Sequence, residues 1–175
     1  MFIIPKHFYI LCNMSIRIKT ELYKNILDSD VAQTIYDYCL NTFRWEHDIK
    51  TRSGATTRKG QCLFLNDDDI IKEVILLSLS LIGFKSGSLG QIYINYYRDG
   101  KDYTPLHRHD NQLQLVISLG ATRTLKVGNK DYILENGDII KFGSSAHTIP
   151  KDSNCTDGRI SIALFMSKDT VISGP

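Results

Sequence analysis

What the chain lacks narrows the field before what it contains. Its four cysteines, Cys12, Cys39, Cys62 and Cys155, are scattered over 175 residues, with no CxxC and no paired spacing. That argues for buried or free thiols in a reducing compartment over a disulfide framework. An excess of one charge is missing too: the formal net charge is +2, too mild to argue for nucleic-acid binding by itself, so any basic surface is local. Long apolar runs are absent. The N-terminal MFIIPKHFYILCNMS is broken by Pro5, Lys6 and His7, is too short to span a bilayer, and lacks an apolar core followed by small residues at a cleavage site. A second methionine, Met14, precedes a more ordinary start, so residues 1–14 read as a dispensable extension or an edge strand. Without a secretion or anchoring signal, the expectation is a soluble intracellular protein, cytoplasmic or nuclear, with no membrane partner. Repeats, low-complexity tracts and linkers are also lacking. A single domain over residues 1–175 follows, long enough to bury a substantial core and ordinary in being 42% hydrophobic and 23% charged.

Residues 15–90 carry two helical patterns. Asp28-Ser29-Asp30 offers N-caps ahead of VAQTIYDYCLNTF, where Val31, Ile35, Cys39 (or Tyr38) and Phe43 fall at helical spacing. Asn66 and Asp67–Asp69 precede IIKEVILLSLSLIGF; a capping role for the aspartates is expected before a metal site, since acidic groups suit a helix start. That second helix is apolar almost all round and should be buried against a sheet. Between the helices, Glu46–Gly60 is polar and rich in Thr, Arg and Lys. It reads as a solvated loop or exposed hairpin, or as a basic flap over an active site. GQCLFL after it is a short strand.

From Gln91 the texture changes. Strand candidates follow one another at Gln91–Tyr97, Pro105–His109, Gln114–Leu119, Arg123–Val127, Asp131–Leu134, Asp138–Phe142, Ala146–Ile149 and Arg159–Met166, with glycine-containing turns between most of them. Gly128-Asn129 is a hairpin signal. The fold class predicted is α+β: a double-stranded β-helix, or jelly roll, over residues 91–166, buttressed by the two N-terminal helices.

The stretch NYYRDGKDYTPLHRH, Asn95 to His109, is the chemical centre of that pattern. Residues i and i+2 on a strand face the same way, so His107 and His109 can aim two imidazoles at one point, with Asp110 alongside. His147 lies in another apolar run, and Arg159 opens the last strand. Two imidazoles and a carboxylate suit Fe(II) on one octahedral face, leaving positions for co-substrate and dioxygen. Arg159, at the start of an apolar strand, would be costly to bury without an anion. A dicarboxylate chelating the metal and ending at Arg159 would satisfy it, and Asn95 and Tyr97 share a strand face from which to hydrogen-bond the same ligand. No catalytic residue beyond the metal site is needed.

These residues resemble the AlkB-like family of iron(II)/2-oxoglutarate dioxygenases. The resemblance runs from about Gln91 to Phe165 and rests on NYYRDGKDYTPLH, SLGATRTL, ENGDIIKFGSSAHTIPK and RISIALF; ATTRKGQCLF is similar to the substrate-covering lid segment. By that similarity His107 and His147 hold iron, and Asn95, Tyr97 and Arg159 hold 2-oxoglutarate, with Arg159 paired to its distal carboxylate. Arg58 and Lys59 of the lid would help grip a substrate. The activity implied is hydroxylation of a C–H bond, with a methylated nucleobase as the family-suggested substrate and nucleic acid as the partner. Two departures stand out. The family has His-x-Asp, whereas here position i+2 is His109 and the acid is Asp110. Either a bulge brings Asp110 to the metal, which charge balance favours, or His109 ligates in a three-histidine site, which strand geometry favours. Phe165 occupies the place of a second family arginine. A cupin-like metalloprotein using His107, His109 and His147 without 2-oxoglutarate fits the same spacing, and a metal-free jelly-roll binding module is a third reading.

Overall fold

The computed structural model describes residues 18–50, 54, 56, 58–64, 68–84, 90–109 and 112–167. The architecture follows from a period of two in three adjacent strands. In β3 (Gln91–Tyr97), β5 (Gln112–Gly120) and β10 (Arg159–Ser167), one face carries Ile92, Ile94, Leu113, Leu115, Ile117, Leu119, Ile160, Ile162, Leu164 and Met166. These buried aliphatics form one core with Ala32, Ile35 and Cys39 of α1 (Ser29–Thr42) and Ile71, Ile75 and Leu79 of α2 (Asp69–Leu81). Residues of opposite parity, polar or aromatic for the most part, face the other way, as the alternation of a pleated strand requires.

Two antiparallel sheets result. The larger is ordered β1-β8-β5-β10-β3-β2, adding β1 (Glu21–Tyr23), β2 (Gly60–Phe64) and β8 (Ile139–Phe142) to the three central strands. The smaller is ordered β4-β9-β6-β7, from β4 (Thr104–His107), β6 (Arg123–Val127), β7 (Lys130–Leu134) and β9 (His147–Ile149). Two stacked antiparallel sheets with the helices against the outer face of the larger make the α+β jelly roll predicted above. The β6–β7 hairpin turns at Gly128-Asn129, where Gly128 takes φ 58°.

Asp28 caps α1 through a 2.9 Å bond from the Asp30 amide, and Asp68 caps α2 through a 2.9 Å bond from the Ile71 amide. Two expectations are corrected here. Val31 is 46% exposed, and its neighbour Ala32 takes the buried position. α2 is not buried all round: Ile70, Leu76, Leu77 and Leu81 stay about half exposed, because a helix lying on one side of a sheet can cover only one stripe of its surface. No described helix is long and apolar enough to cross a membrane. Cys39 is buried and Cys155 is a free, half-buried thiol; residues 1–17, Cys12 among them, and Asp67 lie outside the described residues.

Candidate active site

Between the sheets lies a cavity of about 700 Å³, lined by the inward-facing residues of β3, β5 and β10 and by the ends of β4 and β9. At one end are three histidines. His107 and His147 are direct cross-strand partners in the β4–β9 ladder, so the pairing itself sets their rings 4.2 Å apart, centroid to centroid. β4 ends at His107, two residues short of the predicted strand, after a register irregularity between Thr104 and His107. His109 therefore reaches the cluster from the segment beyond the strand, not from a strand face. Its ring lies 5.0 Å from that of His107 and 5.6 Å from that of His147.

One potential ligand nitrogen from each ring lies within 4.8 Å of the other two, close enough to serve one cation. Backbone carbonyls set the tautomers. Nδ1 of His107 is 2.8 Å from the Pro105 carbonyl, and Nδ1 of His147 is 3.0 Å from that of Ser145. A carbonyl only accepts, so each Nδ1 carries the proton and each Nε2 keeps a lone pair for a metal. Burial, with positive neighbours adding to it, lowers the pKa of His107 and takes that of His147 down to about 4, which keeps both rings neutral. The donor set thus fits a borderline divalent metal such as Fe(II). Asp110 lies outside the described residues. Phe165 stands edge-on against His109 at 4.7 Å and against Tyr93 at 5.6 Å, an apolar wall where the resembled family has a cation.

At the other end is Arg159, 1% exposed. Its Nε donates to Ser118 Oγ at 3.0 Å and its guanidinium carbon lies 5.4 Å from the centroid of the Tyr97 ring, yet both terminal nitrogens are buried without a hydrogen-bond partner. Five donors with four unspent on two aimed nitrogens make a fork for a carboxylate. Burial lowers its pKa to about 10, so it stays charged at neutral pH. Asn95 and Ser161 are cross-strand partners, with Asn95 Nδ2 donating to Ser161 Oγ at 3.4 Å, and Tyr97 Oη lies 2.8 Å from Thr104 Oγ1. Burial raises the Tyr97 pKa, which keeps that hydroxyl protonated.

The two lid residues part company. Arg58 is exposed, outside the cavity lining, and its carbonyl accepts from Arg98 at 2.8 Å. Lys59 is buried inside the cavity and donates to Asn95 Oδ1. The segment itself folds back on two isolated bridges, Glu46↔Gln61 and Lys50↔Thr56. Sequence reasoning passed over Ser161 and Gln114, both buried in the cavity wall, and Ser118, buried and holding Arg159 Nε. Their signal was available: each is a polar residue alternating with aliphatics, Ser161 on the strand that carries Arg159 and Gln114 and Ser118 on its neighbour β5.

No family model matches the chain, and no curated protein matches it in sequence. Solved structures do. A prolyl hydroxylase from Trichoplax adhaerens, in complex with a hypoxia inducible factor oxygen degradation domain peptide fragment, superposes with TM-score 0.61 over 89% of this chain and 87% of that one, at 14% identity. An oxidoreductase of the 2OG-Fe(II) oxygenase family from Burkholderia pseudomallei gives 0.61 over 83% and 84%, at 15% identity. A Pseudomonas putida prolyl-4-hydroxylase gives 0.57 over 86% and 94%, at 10% identity. At these identities the likeness establishes the fold, the jelly roll of 2OG-Fe(II) oxygenases, and leaves the chemistry to the residues.

Proposed function

We propose that this protein is a non-haem iron(II) oxygenase that uses 2-oxoglutarate and dioxygen to hydroxylate a C–H bond. One observation carries the reading: a cavity with three histidine nitrogens within 4.8 Å of one another also holds a buried guanidinium with two unpartnered nitrogens. His107, His109 and His147 would hold the iron, with Asp110 the alternative third ligand. Arg159 would receive the distal carboxylate of the 2-oxo acid, and Asn95 and Tyr97 would fix its orientation. Bound iron with the 2-oxo acid supplies the oxidising power that puts one oxygen atom of dioxygen into the substrate. The chain's own work is placement. The ladder partners His107 and His147 hold two ligands in register, the Pro105 and Ser145 carbonyls hold their tautomers, and Phe142, Ile149, Val116 and Leu125 line the cavity with apolar surface that excludes water.

The narrower reading is AlkB-like, with a methylated nucleobase as substrate; the motif residues from Asn95 to Arg159 support it. On an N-methyl group, hydroxylation gives a hydroxymethylamine that releases formaldehyde and leaves the amine. Lys50 of the flap lines the cavity mouth, where a phosphate would pass. The same reading assigns residues 91–166 as catalytic core and 15–90 as helices and lid, within one domain. The free thiol of Cys155 supports an intracellular setting. The test is purified protein with Fe(II) and labelled 2-oxoglutarate, offered N-methylated oligonucleotides in one arm and proline-containing peptides in another. Release of carbon dioxide and succinate is expected, with formaldehyde in the first arm; turnover with proline peptides alone would move the substrate class, and no turnover in either arm counts against the oxygenase.

His109 favours a second reading, a cupin-like three-histidine metalloprotein that does not use 2-oxoglutarate. Arg159→Met separates the two: it abolishes 2-oxoglutarate binding under the first and is irrelevant under the second.

A further inference from the structure

Lys59 is only 7% exposed, and its ammonium has one described acceptor, Asn95 Oδ1, which also takes a 3.3 Å bond from Gln61 Nε2. An ammonium has three donors and is strongly hydrated in water, so this is an under-served buried charge. It lies 6.0 Å from the centroid of the Tyr97 ring, the ring against which Arg159 stacks. Lys59 and Arg159 repel each other across this space, and the positive charge of Lys59 is felt at both His107 and His147. Lys59 lines the same cavity as the histidine cluster and Arg159. Among the described residues, no aspartate or glutamate lines the cavity, while Lys59 and Arg159 do. Neutral histidines add no negative charge when a divalent metal is bound. Lys59 and Arg159 are thus two buried cations in one cavity wall, with no described carboxylate in that wall to balance them.

Resting on the co-substrate reading above, we propose that Lys59 is a second cationic ligand for the 2-oxo acid, so that Lys59 and Arg159 together make the pocket selective for a dicarboxylate over a monocarboxylate. Lys59 then belongs to the co-substrate and not to the grip on the oxidised substrate. Burial without a counter-charge takes its pKa down to about 7, in keeping with a cation that waits for its anion. Asn95 acts as a holding partner, keeping the ammonium at the cavity wall until a carboxylate replaces the amide oxygen.

The test is calorimetric titration of the Mn(II)-loaded full chain, without oxygen, with 2-oxoglutarate and with 2-oxobutyrate, which has the same 2-oxo acid head and no distal carboxylate. Wild type should prefer 2-oxoglutarate. Lys59→Met should weaken 2-oxoglutarate by about 10-fold or more and leave 2-oxobutyrate and Mn(II) binding within about 3-fold; Lys59→Arg should restore most of the loss. Full 2-oxoglutarate affinity in Lys59→Met, alongside loss in Arg159→Met, overturns the role of Lys59 and leaves the oxygenase reading standing. Equal weakening of both acids and of Mn(II) marks Lys59 as structural and also overturns it. A wild type that fails to prefer 2-oxoglutarate, with Arg159→Met silent, removes the co-substrate reading itself and this proposal with it.

Discussion

Two arginines lie against the same tyrosine, and they have opposite fates. Arg123 and Arg159 are each 1% exposed, with guanidinium carbons 5.6 and 5.4 Å from the centroid of the Tyr97 ring. Arg123 donates to the carbonyls of Asp99, Asp102 and Pro150 at 3.0, 2.9 and 2.7 Å, stitching the loop after β3 to the end of β9. Arg159 spends one bond on Ser118 and leaves two nitrogens facing the cavity. Equal burial therefore says nothing about role. What separates a clamp from a receptor is whether the protein satisfies the two terminal nitrogens: in Arg123 it does, leaving Nε as the buried donor without a partner, and in Arg159 it does not.

The largest effect that would break this contrast is on stability. Arg123→Met strands three carbonyls, one in a buried bond and two in part-buried ones, and should cost on the order of 4 kcal/mol, read as a lower urea midpoint of unfolding. A variant as stable as wild type would mean that Arg123 is no clamp. Arg159→Met should leave stability unchanged or raise it, since it deletes an unsatisfied buried charge, while weakening 2-oxoglutarate by about 100-fold in calorimetry. Loss of both stability and binding would put the two arginines in one class.

The histidines repeat the contrast within single rings, Nδ1 satisfied and Nε2 open, and they add a pH dependence. In the metal-free protein His147 titrates at about 4 when folded, while an unfolded histidine titrates near ~6.5. Between those values the unfolded chain holds more protons, so stability falls as the pH drops through that window and is fully restored above it. Thermal melts from pH 7 to pH 4 should show the decline in wild type and a flatter profile in His147→Gln. Smallest of all, Tyr97→Phe keeps the ring under both guanidiniums and removes only the bond to Thr104. It should cost about 1 kcal/mol and change 2-oxoglutarate affinity only a few-fold. A large binding loss would show that the hydroxyl, not the ring, touches the acid.

Much of this was legible in the sequence, for reasons that can be named. The strand boundaries of β3 and β6 and both helix starts follow from period-two alternation and capping aspartates. Asn95 and Tyr97 could be placed on one face because strand parity is a local property; the β3–β10 register then pairs Tyr97 with Arg159 and Asn95 with Ser161. Two things depended on tertiary placement instead. His109 looked like a strand residue, but the strand stops at His107 and the chain bends to bring it in. Arg58 and Lys59 looked like a matched basic pair, but they lie where the segment enters the sheet edge, and successive side chains there point to opposite sides. Composition cannot tell which of two neighbouring cations goes inside.

The pairing of His107 with His147 has one further consequence. β4 and β9 are only four and three residues long, so few backbone hydrogen bonds fasten that rim of the barrel. An ion gripped from both strands would act as a rivet across a short seam, and the chain would tighten at its mouth long before its interior noticed. Amide exchange should then slow on loading at Thr104–His107 and His147–Ile149, while the aliphatic layer beneath the helices exchanges as before.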